Sequence, residues 1–152
     1  MNVSRVPWDM LFGAGMLTGC ASEGPVSTTA NDTRPCAMNF AVTGSMLAGQ
    51  TFTSFEERPG ANKSVVYERV VRTLTTKGYN VTSPNKDLGI VSALNPIIMG
   101  KGSRATLNVA VSDSQNRVRV DTTFAIPGLT GTSISAVREE FCAILRDAFA
   151  TT

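Results

Sequence analysis

The chain reads as an α+β domain, an antiparallel sheet of about five strands with two helices packed on one face, in the order β-α-β-β-β-β-α. Three observations carry this reading. Two segments repeat apolar residues at helical spacing, two longer segments alternate apolar and polar residues, and clusters of Gly, Pro, Asn, Asp and Ser separate them. Taken in order, Thr51 to Phe55 alternates polar and aromatic residues as a half-buried strand does, and Glu56 to Gly60 breaks it. Asn62 is placed to cap a helix whose Val66, Tyr67, Val70, Val71 and Leu74 form one stripe, with Glu68 and Arg72 paired outside and Gly78 as its stop. Its β-branched residues lower intrinsic helicity, so burial of the stripe must stabilise it. Short strands follow at Tyr79 to Thr82 and Leu88 to Leu94, with a turn over Ser83 to Asp87 between them. Two longer strands, Arg104 to Ser112 and Arg117 to Ile126, flank a turn at Asp113 to Asn116. In these, Ala105, Leu107, Val109, Val111, Val118, Val120, Thr122 and Phe124 share one face, while Thr106, Asn108, Arg117, Arg119, Asp121 and Thr123 share the other. One face of the sheet is therefore wet. After Pro127-Gly128, a second helix over Ser133 to Phe149 carries Ile134, Val137, Phe141, Ile144, Leu145 and Ala148 on a broad apolar stripe that should cover the dry face.

Ahead of this domain, Met10 to Leu17 is an apolar run that follows Arg5 and ends in Leu17-Thr18-Gly19-Cys20. A run this short cannot cross a bilayer as a helix, which takes roughly 20 residues, but it has the length of a signal-peptide core. It resembles a bacterial lipoprotein signal peptide. The resemblance implies that Leu17, Thr18 and Gly19 form the peptidase motif, that residues 1–19 are removed, and that Cys20 carries acyl chains such as palmitate. Ala21-Ser22, in place of an aspartate after the cysteine, implies the outer membrane. The alternative is that residues 8–17 are a buried apolar segment of a cytoplasmic domain. Residues 20–50 are expected to comprise the lipidated cysteine and a flexible tether, polar through about residue 35 and then apolar enough to pack partly on the domain at 51–152.

An exported chain would place its two remaining cysteines, Cys36 and Cys142, in an oxidising compartment. Two readings stand. They pair, closing a loop of about 100 residues worth roughly 4 to 5 kcal/mol of unfolded-chain entropy, or they are independent thiols with Cys142 a small core residue on an apolar helix face.

The segment Val66 to Leu94 combines a helix, the strand start Gly78-Tyr79-Asn80-Val81, and the hairpin entry Asp87-Leu88-Gly89-Ile90. It resembles the repeated unit of bacterial outer-membrane lipoproteins related to BamC, a component of the β-barrel assembly machinery. The resemblance covers Thr51 to Phe149 and implies a helix-grip-like fold, a scaffolding role and no catalytic residues.

Composition narrows the chemistry. Histidine is absent, which removes Ser-His-Asp and Cys-His catalysis and every His-containing metal site. Three scattered cysteines make no zinc ligand set, so no metal and no cofactor is expected. A formal net charge of +2, evenly spread, gives no basic face for nucleic acid. Gly100-Lys101-Gly102-Ser103 lacks the full phosphate-loop spacing and reads as a hairpin turn. Glu56-Glu57, Glu139-Glu140 and Asp113 read as solvated carboxylates, with nothing to set an acid opposite a base. The remaining oddity is apolar residues in loops: Ile97, Ile98 and Met99 between two strands, and Leu129 after the last. In a meander both loops lie at one edge of the sheet. They form a contact rim for a partner protein, a lip over a small apolar pocket, or a plug folded back on the core. The resulting expectation is a periplasm-facing lipoprotein, a non-enzymatic binding or scaffold component of an envelope assembly. The alternative is a carrier of lipid or a small apolar ligand between helices and sheet.

Overall fold

A computed structural model describes residues 32–95 and 105–150. The helix nearest the expected stripe, Lys63–Thr76, is capped by the Asn62 side chain, which accepts from the Val65 N–H at 3.1 Å. It buries Val66, Tyr67, Val70 and Leu74, and Gly78 follows at φ 82°. The last helix, Ile134–Ala148, is capped by Ser133 in the same way and buries Val137, Phe141, Ile144, Leu145 and Ala148. Numbered in chain order, the elements are α1 (Pro35–Met38), β1 (Ala41–Ser45), β2 (Gly49–Pro59), α2 (Lys63–Thr76), β3 (Asn80–Asn85), β4 (Ile90–Asn95), β5 (Ala105–Ser114), β6 (Arg117–Pro127) and α3 (Ile134–Ala148). All strands are antiparallel in one open sheet of order β1-β2-β6-β5-β4-β3. α2 and α3 lie side by side on one face of it.

The α+β class is as the sequence reads it, with one strand and one short helix more. The added pieces, α1 and β1, occupy residues assigned above to the tether, so the folded body begins near Arg34 rather than at Thr51. The physical reason is burial. Cys36 and Phe40 are almost fully enclosed, and the Phe40 ring packs 6.2 Å from Phe52 and 6.0 Å from Phe141. Strand β2 also runs on through Glu56 to Pro59, where the sequence predicts a break. Its continuation pairs in register with β6 from Phe55↔Asp121 to Pro59↔Arg117. Glu56, on the core side, is held by Arg58 at 2.9 Å, and Arg58 also donates to the Phe149 carbonyl at the end of α3. Similarly β3 extends through Pro84 to Asn85, so the turn to β4 falls later than the sequence predicts, and Leu88 stands exposed in it. Pro84 is tolerated there because β3 is an edge strand, and a bulge lies between Val81 and Ser83.

The two faces divide as the alternation requires. Ala105, Leu107, Val109, Val111, Val118, Val120 and Thr122 are buried beneath the helices. Thr122 sits dry because its hydroxyl donates to the Ser54 carbonyl at 3.1 Å. The β5–β6 hairpin closes through Gln115 and Asn116 at φ 50° and 60°, the left-handed pair that a tight two-residue turn needs. On the wet face Arg119 stacks on Phe55, 3.7 Å from the ring centroid, and bonds Asp121 and Glu57.

Candidate functional site

One end of the sheet is assembled from the β1–β2 hairpin tip and the loop that leaves β6. The tip, Met46-Leu47-Ala48, is bent back by Gly44 at φ 89° and Gly49 at φ 111°, and the Ser45 hydroxyl accepts from the Ala48 N–H at 3.2 Å. The loop is pinned to it, since the Leu129 N–H donates to the Met46 carbonyl at 2.7 Å. Gly128 permits the approach: a Cβ there would collide with the Leu47 carbonyl. The result is two backbones clasped together with their large side chains outward. Met46 is 64% exposed, Leu47 78% and Leu129 84%.

Two stretches at this end carry no charge. The stretches Ala41 to Phe55 and Thr122 to Val137 contain no Asp, Glu, Lys or Arg. Their register stacks Thr53 on Thr123, Thr51 on Ala125 and Gly49 on Pro127, so the neutral halves of β1, β2 and β6 coincide. Charges begin where Phe55 meets Asp121 and Glu57 meets Arg119.

Of the sequence-predicted rim, Leu129 belongs to this end, and its exposure excludes a plug role for it; Ile126 and Thr130, both buried, close the core there instead. Ile97, Ile98 and Met99 lie outside the described residues, as do Leu17, Thr18, Gly19 and Cys20. Asn95 and Ala105, which flank residues 96–104, pair with each other at this same end of the sheet. Sequence reasoning misses Met46 and Leu47. The signal for them is Gly-Ser-Met-Leu-Ala-Gly, two large apolar residues between glycines, which reads as a hairpin tip once Ala41 to Ser45 is recognised as a strand.

Cys36 and Cys142 form a disulfide with Cα atoms 5.2 Å apart, joining α1 to α3, both cysteines being 3% exposed. Beside it, Arg34 bridges two carboxylates, with its guanidinium 2.6 Å from both Asp32 and Glu139. The side-chain hydrogen bond from Arg34 pulls Asp32 down to about 2 and lowers Glu139 as well.

The carboxylates considered for acid–base work are each matched by a cation: Glu56 by Arg58 at 2.9 Å, Glu57 by Arg119 at 3.0 Å, Asp113 by Lys63 at 3.4 Å, Glu139 by Arg34, and Glu140 by Lys77 at 3.0 Å. Glu140 also accepts from the Tyr79 hydroxyl at 3.2 Å, and burial together with that carboxylate drives the phenol well above its ordinary value. Tyr79 and Glu140 line a cavity of about 190 Å³ between α3 and the sheet, floored by Phe124, Val137 and Phe141. That volume falls below the roughly 300 Å³ at which drug-sized ligand sites begin.

Compared with known proteins, the chain matches no protein-family model and no curated protein. Among the described residues, no helix is long and apolar enough to cross a membrane.

Proposed function

We propose that this chain is a lipid-anchored adaptor of the bacterial envelope, held by Cys20 on the periplasmic side of the outer membrane, that binds protein and performs no chemistry. The observation that carries the reading is the Cys36–Cys142 disulfide. Structural disulfides persist in oxidising compartments. Of three cysteines, the pair uses two, and the third is the one at the end of Leu17-Thr18-Gly19-Cys20. An odd cysteine in an exported chain needs an explanation, and acylation supplies it.

For partner binding the reading points to the open face of the sheet. Its central row, Thr53, Thr123, Asn108 and Ser92, runs across four strands, and the Ser92 hydroxyl lies 2.6 Å from the Asn108 side-chain oxygen. Charge depletion marks the centres of protein interfaces. The resemblance to BamC-related lipoproteins supports a scaffold in the same compartment. The small cavity beside Tyr79 supports a carrier poorly, because an acyl chain exceeds it.

Labelling with palmitate in the native host tests the anchor: label in the wild type and none in Cys20→Ala is the expected result. Crosslinking from Thr53 and Asn108 in intact cells should then capture an envelope protein. A mature chain recovered from cytosol with residues 1–19 retained and Cys36 and Cys142 reduced would refute the reading.

A further inference from the structure

The clasped loops at the neutral end have features that the fold does not require. Leu129 holds φ 63°, a conformation that Gly or Asn adopts freely and leucine only under strain, yet its side chain is 84% exposed. Leu47 and Met46 beside it are nearly as bare. A strained backbone that lifts an apolar side chain into water points to an occupant outside the domain. We propose that Met46, Leu47 and Leu129 seat in the boundary between headgroups and acyl chains of the membrane that bears the anchor, so that the domain stands on its neutral end.

Three observations favour lipid over a protein partner. The first is shape. Among the described residues, three side chains at the tips of two tight turns fall well short of the roughly 1,000 Å² that a stable protein interface takes, but they suit shallow insertion, in which each buried methylene contributes without a complementary surface. The second is the absence of carboxylates over the flanking halves of β1, β2 and β6, because anionic headgroups would repel them and any charge carried below the headgroups costs desolvation. The third is reach. Asp32 follows Cys20 by about a dozen residues, at most about 40 Å of chain. It enters beside Glu139, which lies only about 8 Å along α3 from the loop that carries Leu129. A second, weak contact is also what a short anchor needs if the domain is to keep one orientation.

This inference rests on the lipoprotein reading, and the test separates the two. The sole tryptophan, Trp8, lies within residues 1–19, so the mature lipidated chain has none and an introduced one reports alone. Leu47→Trp, Leu129→Trp and Leu88→Trp, the last an exposed position at the opposite end of the sheet, are each reconstituted into vesicles of phosphatidylethanolamine and phosphatidylglycerol brominated in their acyl chains. The expected result is a blue shift and loss of most of the emission at 47 and 129, with neither at 88. Vesicles that float with bound protein but leave positions 47 and 129 unquenched, or quench 88 equally, overturn the docking and leave the anchor standing. A photocrosslinker at 47 that captures a protein in place of lipid does the same. Protein that fails to float with the vesicles overturns both.

Discussion

Leu129 sits at φ 63° with its side chain largely in water, so the fold gains little packing from it and carries a backbone cost of about 1 kcal/mol. Leu129→Gly is therefore expected to leave urea stability unchanged or raise it by up to about 1 kcal/mol, the relief of strain being partly offset by a freer unfolded chain. Leu129→Asp should leave the melting temperature unchanged; a marked fall would show that the side chain packs. The opposite sign belongs to Asn62, whose side chain accepts from Val65, and Asn62→Ala should cost about 1 kcal/mol in the same assay. Arg34 gives a pH dependence. Because it draws Asp32 from 3.8 to about 2, the folded value lies below the unfolded one. The stabilisation is thus fully present above about pH 4 and is lost as pH falls through about 2. Melting curves taken between pH 5 and pH 2 should show this step in the wild type and a smaller one in Arg34→Ala. The pair is exposed, so the step is small. Leu129 is visible in the sequence as an apolar residue out of period, and Asn62 as a cap. Arg34 is not, because its partner Glu139 lies more than a hundred residues away.

At the level of elements, the periodic ones are legible in the sequence and the short ones are not. α2, α3, β5 and β6 each present an unbroken stripe or alternation, and their bounds fall within a few residues of the expected ones. α1 has four residues, too few to form a stable helix alone. It exists because Phe40 and Cys36 are buried and Cys36 is bonded to Cys142, all long-range facts that local pattern does not carry. β1 is hidden by Gly44, which breaks the alternation while making the bend. The same reasoning explains β2, where Glu56 has the look of a terminator but is held by Arg58. Cys36→Ser with Cys142→Ser should lower stability by roughly 4 to 5 kcal/mol if the whole chain unfolds as one unit. Hydrogen exchange should show α1 and β1 loosened first, since what then holds them is β2 pairing on one side, the Phe40 contacts, the Arg34–Glu139 pair and hydrogen bonds from Asn39 to the Phe55 carbonyl and from Ser54 to the Cys36 carbonyl. Gly128→Val is expected to disrupt only the clasp: exchange protection should fall at the Leu129 amide and stay unchanged in α2.

Across the whole molecule, the class of fold follows from sequence because one wet and one dry face leave few ways to place two amphipathic helices. The meander β3-β4-β5-β6 is likewise readable, short turns joining neighbours. The return of β2 to pair with β6, and the alignment of their uncharged halves, need the register. Neither is a property of any single segment.

The bridge between α1 and α3 also fixes where a pull on the chain ahead of Arg34 would be felt. Without it, tension would pass through α1 into β1 and peel that marginal strand from β2 one rung at a time. With it, the load leaves the backbone at Cys36 and enters the middle of α3, which is braced on the sheet and on α2. Stretched from its amino end in a force spectrometer, the oxidised domain should give way in one abrupt event, and the reduced domain should first release a short, soft segment.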